Sequence, residues 1–197
     1  STVVSKIAEN LKEDFSEGKE ESKIKDAKLH LFSYGFFQVA VILHKILIIT
    51  YKYNMKKIDM KKLLFYILIP LISGAIVGII TSGDMKSYNG FVPGWIFPVV
   101  WSILYIMLGI SSYLVKDDED LLAIYKVNLI INLAWSFIFF TFNMKILSFL
   151  WIILLIIITI YMIIKYYKYN KLSAYLLIPY LFWLIFASIL NIISIIK

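Results

Sequence analysis

Five stretches of the chain are long and apolar enough to cross a lipid bilayer, and no other feature constrains the fold as strongly. They comprise residues 63–80, 95–115, 121–142, 146–164 and 174–196. A spanning helix needs about 20 mostly apolar residues, and none of the five stretches contains an acidic side chain. With 61% hydrophobic residues, the chain carries more apolar surface than a soluble domain buries. The sequence therefore predicts an all-α membrane protein built as a five-transmembrane-helix bundle.

The charged residues lie between and before these stretches, and they predict an orientation. Because the connections are short, consecutive helices are expected to run antiparallel. If the first helix begins in the cytoplasm, nine of the lysines from Met55 onward lie inside and three lie outside, as the positive-inside rule requires. We therefore expect an integral membrane protein whose first loop, residues 81–94, faces away from the cytoplasm.

Residue types that the chain lacks exclude several kinds of site. There is no cysteine, which excludes disulfides, thiolate metal ligands and cysteine nucleophiles. All 20 basic residues are lysine, so the bidentate anion clamp of arginine is absent. His30 and His44 have no second ligand at metal spacing, and we predict no metal site. Because the lysines flank apolar runs, we expect membrane lipid rather than nucleic acid as a partner.

Residues 1–54 form a predicted helical extension that precedes a five-helix domain at 55–197. Residues 1–28 are polar, with acids and lysines at helical spacing, whereas residues 29–51 are apolar but interrupted by His44 and Lys45. An amphipathic helix on the membrane surface and a sixth span both fit this pattern. The sixth span would place lysine-rich segments on both sides of the membrane, against the charge rule. The sequence leaves open the role of this extension and whether it is native to the protein.

Aromatic and amide side chains recur at helical spacing in three of the stretches, and each set occupies one helix face. The sets are Phe97, Trp101, Tyr105 and Gly109; Asn128, Asn132, Trp135 and Phe139; and Pro179, Trp183, Phe186, Ala187 and Leu190. Core packing and interfacial belts, to which Trp95 is suited, give similar patterns. Three inward faces of this kind would instead wall a pocket for a flat, weakly polar ligand. Because an unpaired membrane asparagine is costly, Asn132 either bonds a neighbouring helix or contacts such a ligand.

Glycines at two places predict close approach between helices. Gly109 continues the aromatic face of the second stretch and leaves room for a neighbouring backbone. Gly74 and Gly78 form a small-xxx-small motif in the first stretch. That motif suits packing either within the bundle or between two copies of the chain.

Three motifs carry a family resemblance, and they occur in order along the chain. They are PGWIFPVVWSILYIMLGISSYLV from residue 93, NLIINLAWSFIFF from residue 128 and PYLFWLIFASILN from residue 179. Together they resemble the TspO/MBR family of tryptophan-rich sensory proteins, which is related to the mitochondrial translocator protein, the peripheral benzodiazepine receptor. The resemblance covers residues 63–196 and implies a five-helix bundle, commonly a homodimer, whose pocket opens toward the first loop.

The resemblance also implies ligands and the residues that contact them. The ligands are porphyrins such as protoporphyrin IX, haem-like tetrapyrroles, and isoquinoline or benzodiazepine drugs. By motif position, the pocket residues are Phe97, Val100, Trp101, Asn132, Trp135, Trp183, Phe186, Ala187 and Leu190. The chain departs from the family in a shorter first loop and in Leu147, which replaces a pocket tryptophan. It also has Ile192 in place of the tyrosine of the animal cholesterol motif, so cholesterol recognition is not expected.

Three functions are compatible with these features. The favoured function is the binding of tetrapyrroles in a sensory, regulatory or transport role. Some bacterial family members are reported to degrade protoporphyrin in light. In that alternative the porphyrin is the substrate and absorbs the light, Trp101 and Trp183 are the electron donors, and no further cofactor is required. A structural or transport role without a fixed ligand is the third possibility.

Overall fold

The computed structural model describes residues 58–86 and 96–196. The predicted extension at 1–54, its boundary with the five-helix domain and the predicted interfacial Trp95 lie outside the described residues.

Five long helices confirm the predicted all-α membrane fold. They are α1 (Met60–Ile80), α3 (Ile96–Leu114), α4 (Glu119–Ser136) with its π-helical continuation π1 (Phe137–Thr141), α5 (Lys145–Tyr169) and α6 (Lys171–Ile196). A short helix, α2 (Ser82–Lys86), follows α1 and was not expected from the sequence. All five long helices, α4 counted together with π1, are long and apolar enough to cross a membrane. No strand occurs within residues 58–86 and 96–196.

Aspartates start two of the long helices. One carboxylate oxygen of Asp59 accepts hydrogen bonds from the backbone N–H groups of Lys61 and Lys62, both at 3.1 Å. Asp118 accepts from the backbone N–H of Leu121 at 3.0 Å. These caps satisfy donors that the first turn of a helix cannot pair internally, and their negative charge suits the helix N-terminus.

The turn between α5 and α6 is tighter than the sequence predicted. Asn170 alone separates the two helices. Its backbone N–H donates to the Tyr166 carbonyl at 2.7 Å, and its side-chain oxygen accepts from the Ser173 N–H at 3.2 Å. One residue therefore ends one helix and begins the next. Because lysine side chains reach polar surroundings along apolar stems, Lys165 and Lys168 continue α5 and stay exposed.

The long helices close into a ring in the order α1, α3, α6, α5, α4 and back to α1. Spatial neighbours are therefore not always sequence neighbours. In particular, α3 packs against α1 and α6 and meets α4 only sparsely. The interior of the ring between α3 and α4 is consequently filled by side chains rather than by close backbone contact.

Gly109 allows α1 and α3 to touch, which confirms the prediction made for it. A Cβ atom on Gly109 would lie 2.6 Å from the Cα of Ile67 and 2.6 Å from the carbonyl oxygen of Tyr66. Pro70 has no N–H to donate to that carbonyl, four residues earlier in the helix. The Tyr66 carbonyl thus lacks its usual helical donor where the glycine backbone approaches, a position suited to a Cα–H···O contact.

The two glycines of the small-xxx-small motif have different surroundings. A Cβ atom on Gly74 would overlap the ring of Tyr105, so the missing side chain makes room for that ring. Among the described residues, no atom lies within 4 Å of the equivalent position at Gly78. In that part of the chain, the motif serves packing within the bundle at Gly74 and not at Gly78.

Candidate ligand-binding site

Aromatic rings from α3, π1 and α6 meet inside the ring of helices. Phe97 packs edge-to-face against Phe140, with 5.6 Å between ring centroids, and against Trp183, at 6.1 Å. Trp183 also contacts Trp101 at 6.5 Å and Phe186 at 5.5 Å. Edge-to-face and tilted arrangements are those that aromatic quadrupoles favour. We call this group of rings, together with Trp135 and Phe139, the aromatic cluster.

The π-helical turn at the end of α4 brings two consecutive rings into the aromatic cluster. Within π1 and its cap, the Phe142 N–H donates to the carbonyl of Phe137, five residues earlier, at 2.8 Å. Trp135 stacks on Phe139 at 5.0 Å with 14° between the ring planes, and it meets Phe140 edge-on at 5.9 Å. In a regular α-helix, a side chain five positions after Trp135 points to another side. The wider π turn brings the Phe140 side chain to the same side as Trp135. Such turns are frequent at functional sites.

Buried polar side chains form a continuous chain of hydrogen bonds across four helices. In donor-to-acceptor order it runs from the Tyr105 hydroxyl to Asn132 (2.8 Å), Tyr180 (3.0 Å), Asn128 (3.1 Å), Thr159 (3.0 Å) and the Leu155 carbonyl (2.7 Å). Each member donates to the next, so each of these donors has an acceptor. Hydrocarbon offers no such partners. Because both ends of the Asn132 amide are engaged, the geometry favours helix bonding for this residue.

Trp101 connects the aromatic cluster to the polar chain. Its indole stacks on the Tyr105 ring at 5.4 Å, with 28° between the planes, and meets the Tyr180 ring edge at 6.2 Å. The hydroxyl groups of Tyr105 and Tyr180 are hydrogen-bonded, which holds in place the two rings that Trp101 contacts. The polar chain therefore orients one wall of the aromatic cluster.

Two tryptophans of the aromatic cluster have buried indole N–H groups without an acceptor. Trp135 is 3% exposed and Trp183 is 7% exposed, and neither Nε1 has a hydrogen-bond partner among the described residues. Trp151 shows the ordinary arrangement, since its Nε1 donates to the Ile131 carbonyl at 2.9 Å. A buried donor left unpaired costs about 1–3 kcal/mol, and folded proteins rarely leave one. The two N–H groups are thus hydrogen-bond donors that no described residue uses.

Comparison with known proteins identifies the family. The family model of the TspO/MBR family matches residues 66–195. These residues include most of α1, all of α3, α4 and α5, and all of α6 except its last residue. The chain belongs to the TspO/MBR family. It is an integral membrane protein, and membership supports a sensory or regulatory role in the membrane.

Relatives of this TspO/MBR protein occur in bacteria, archaea and animals. It is 34% identical over 106 residues to the Tryptophan-rich protein TspO of Chlorobaculum tepidum, which covers 50% of this chain and 67% of the relative. Identity to the Tryptophan-rich protein TspO of Archaeoglobus fulgidus is 36% over 104 residues, with the same two shares. The human Translocator protein is 32% identical over 107 residues, which cover 50% of this chain and 63% of the relative.

The nine predicted pocket residues of this TspO/MBR protein lie on the three expected helices. Six are joined by ring contacts or hydrogen bonds: Phe97, Trp101, Asn132, Trp135, Trp183 and Phe186. Val100, Ala187 and Leu190 are buried on α3 and α6. Two further residues contact these six and are not among the predicted pocket residues: Tyr180, which meets Trp101, and Phe140, which meets Phe97 and Trp135. Tyr180 stands three residues before Trp183, and that spacing is a usable signal for a shared face. Phe140 has no such signal.

Two of the positions at which the resemblance implies a departure from the family are exposed in the bundle: Leu147 is 39% exposed and Ile192 is 40% exposed. The shortened part of the first loop lies outside the described residues. Trp151, one turn after Leu147, ties α5 to α4 instead. Within the described ranges 58–86 and 96–196, no three histidine or carboxylate side chains gather at metal-binding distance. The described groups of the site can stack on a ligand, exclude water and donate hydrogen bonds.

Proposed function

We propose that this TspO/MBR protein is a sensory or regulatory membrane protein that binds tetrapyrroles, such as protoporphyrin IX or haem-like compounds, in its aromatic cluster. The observation that carries the proposal is the pair of unpaired indole N–H groups on Trp135 and Trp183. A tetrapyrrole offers a large π surface for rings to stack on. Its edge carries carboxylate oxygens that accept hydrogen bonds from such donors. The family resemblance implies the same class of ligand.

The arrangement of the helices supports the same site. Because α3 and α4 meet only sparsely, the rings between them are held by side-chain contacts, which rearrange more easily than packed backbones. A flat ligand would replace ring-to-ring contacts such as that of Phe97 with Phe140 by contacts with its own faces. Isoquinoline-type compounds, which combine fused aromatic rings with a ring-nitrogen acceptor, fit the same description.

The setting of the site is part of the proposal. We propose that the protein lies in a bacterial plasma membrane, in line with its bacterial relatives. The lysine distribution supports an orientation with the first loop outside. We also propose a homodimer, as the resemblance implies. Because Pro70 is the one residue of α1 that the bundle buries, α1 offers an apolar surface that lipid or a second copy would cover.

Titration with protoporphyrin IX in the dark tests the proposal. The chain in mild detergent is titrated while tryptophan fluorescence is followed, for the wild type, for Trp183→Ala and for Trp151→Phe as the matched control. We expect saturable quenching near one ligand per chain, with weaker binding in Trp183→Ala and unchanged binding in Trp151→Phe. Quenching that does not saturate in the wild type contradicts the proposal.

A second candidate function is the light- and oxygen-dependent breakdown of bound porphyrin. It is favoured by the direct contact between Trp101 and Trp183, whose ring centroids lie 6.5 Å apart, beside the oxidisable rings of Tyr105 and Tyr180. In this candidate the two indoles supply electrons, and the porphyrin is the substrate and absorbs the light. Under illumination in air, the wild type is expected to lose the porphyrin absorption band faster than Trp101→Phe. Equal bleaching of free and bound porphyrin contradicts enzymatic breakdown.

A further inference from the structure

Lys145, the first residue of α5, places a positive charge at the edge of the aromatic cluster. Its Nζ atom lies 4.0 Å from the centroid of the Phe139 ring and 3.4 Å from the Phe139 carbonyl oxygen. The same Phe139 ring stacks on Trp135. One aromatic ring therefore contacts both the ammonium group of Lys145 and the tryptophan whose indole N–H is unpaired.

The ammonium group of Lys145 is half-buried but has no acidic partner in the described structure. Within residues 58–86 and 96–196, the ion pair closer than 4 Å joins Lys116 to Asp117, in the turn between α3 and α4. The carboxylate of Asp84 accepts a hydrogen bond from the Thr141 hydroxyl instead. A partly desolvated cation is stabilised by a ring face, yet a partner of opposite charge would stabilise it further.

The hydrogen-bonding capacity of Lys145 is largely unused. An ammonium group has three donors. The 3.4 Å contact with the Phe139 carbonyl is longer than a usual N–H···O bond. The backbone at this position is held firmly, because the Asn191 side-chain nitrogen donates to the Lys145 carbonyl at 2.9 Å when the amide is oriented to satisfy both of its ends. The backbone that carries the ammonium group is therefore anchored, while donors of the ammonium group remain open to an anionic oxygen.

We propose that Lys145 binds a carboxylate at the edge of the ligand held by the aromatic cluster and thereby selects tetrapyrroles that carry carboxylate side chains over neutral ones. This inference rests on the proposed function. It assigns the cationic contact to α5, a helix that carries none of the nine predicted pocket residues and on which Leu147 stands where the family resemblance implies a pocket tryptophan. A lipid phosphate has the same anionic chemistry, and the experiment separates the two sources.

The test compares protoporphyrin IX with its uncharged dimethyl ester, by dark quenching titrations of the whole chain in mild detergent. The variants are Lys145→Met, Lys145→Arg and the control Lys168→Met, which removes one exposed charge at the other end of α5. We expect Lys145→Met to weaken binding of the diacid by about tenfold or more, since hydrogen bonds to charged groups are strong. Ester binding should not change. Lys145→Arg should keep the preference for the diacid, and Lys168→Met should match the wild type.

Several results would overturn the inference. Equal weakening of diacid and ester in Lys145→Met would mean that the lysine only supports packing, and no change for either would mean that it faces solvent or lipid. Loss of diacid binding when phosphatidylglycerol is added to the micelles would assign Lys145 to lipid phosphate, whereas unchanged binding supports the proposal. If the wild type binds neither porphyrin saturably, the proposed function fails as well. If the wild type binds both with equal affinity, the inference alone fails.

Discussion

The side-chain amide of Asn132 is engaged at both ends inside the bundle. Its oxygen accepts from the Tyr105 hydroxyl and its nitrogen donates to the Tyr180 hydroxyl. With 1% exposure and no water in the hydrocarbon region, each group relies on its protein partner. Because Trp101 stacks on Tyr105, a disturbance of this bond also reaches the aromatic cluster.

A double-mutant cycle on Tyr105→Phe and Asn132→Leu measures this bond. Each single substitution should lower the thermal unfolding temperature in detergent, because it leaves one polar group of the pair unpaired. The double variant should lose less than the sum, with a coupling energy of about 0.6–1.7 kcal/mol, the range of hydrogen bonds between membrane helices. Strictly additive losses would show that the two side chains do not interact.

At the residue scale, helical spacing predicted which side chains share a face. It placed Phe97 with Trp101 and Asn132 with Trp135, because an α-helix repeats every 3.6 residues. It missed Phe140, which stands five residues after Trp135 and reaches the cluster only through the π turn. The π turn depends on how the end of α4 packs against its neighbours, which residue spacing does not encode.

The contact between α1 and α3 depends on the absence of one side chain. The Cβ atom of Gly109→Ala would fall 2.6 Å from backbone atoms of α1, and backbone cannot yield as a flexible side chain can. We expect a clear drop in thermal unfolding temperature in detergent, in the range of about 1–3 kcal/mol for overpacking. Gly78→Ala is the control. With no atom within 4 Å, it should be neutral or slightly stabilising through helix propensity. Equal effects of the two substitutions would contradict close packing at Gly109.

The π turn distinguishes two phenylalanines that stand two residues apart. Phe140 contacts Phe97 and Trp135, whereas Phe142 is 63% exposed. In the dark titration, Phe140→Leu should weaken protoporphyrin IX binding severalfold, within the 0.5–1.5 kcal/mol of an aromatic pair. Phe142→Leu should leave it unchanged. Weakening by both, or by Phe142→Leu alone, would place the ligand outside the cluster.

At the scale of elements, the sequence predicted all five long helices, with most ends correct to within three residues. The largest error is at the α5–α6 turn, where apolar run length suggested an end at residue 164 and α5 continues to Tyr169. Polar residues at a membrane surface are as compatible with helix as with loop, so hydropathy does not locate the helix end. The hydrogen bonds of Asn170 mark the point at which α5 ends and α6 begins.

The order in which the five long helices pack into a ring could not be predicted from the sequence. Short connections predicted antiparallel neighbours, yet α3 lies against α1 and α6 and scarcely meets α4. Apolar faces all look alike in composition, so the order of packing follows from particular fits, such as Gly109 against α1. The space that this order leaves between α3 and α4 is where the three predicted aromatic faces converge.

The orientation in the membrane is a prediction of the whole chain, and the absence of native cysteine makes it simple to test. Single cysteines are introduced at Met144, between π1 and α5, and at Asp117, between α3 and α4. The positive-inside rule predicts that a membrane-impermeant maleimide labels Met144→Cys in intact bacterial cells. It should label Asp117→Cys only after lysis. The reverse pattern would invert the orientation.

The central claim, that the indole N–H groups of Trp135 and Trp183 donate to a bound ligand, is tested most directly by NMR of 15N-tryptophan-labelled protein in detergent. The five indole N–H signals are assigned by single Trp→Phe variants and followed during addition of protoporphyrin IX in the dark. The signals of Trp135 and Trp183 should move to the frequencies of hydrogen-bonded N–H groups as the site fills. The signal of Trp151, which already donates to Ile131, should keep its hydrogen-bonded position. Saturable binding that leaves both Trp135 and Trp183 unchanged would contradict the account.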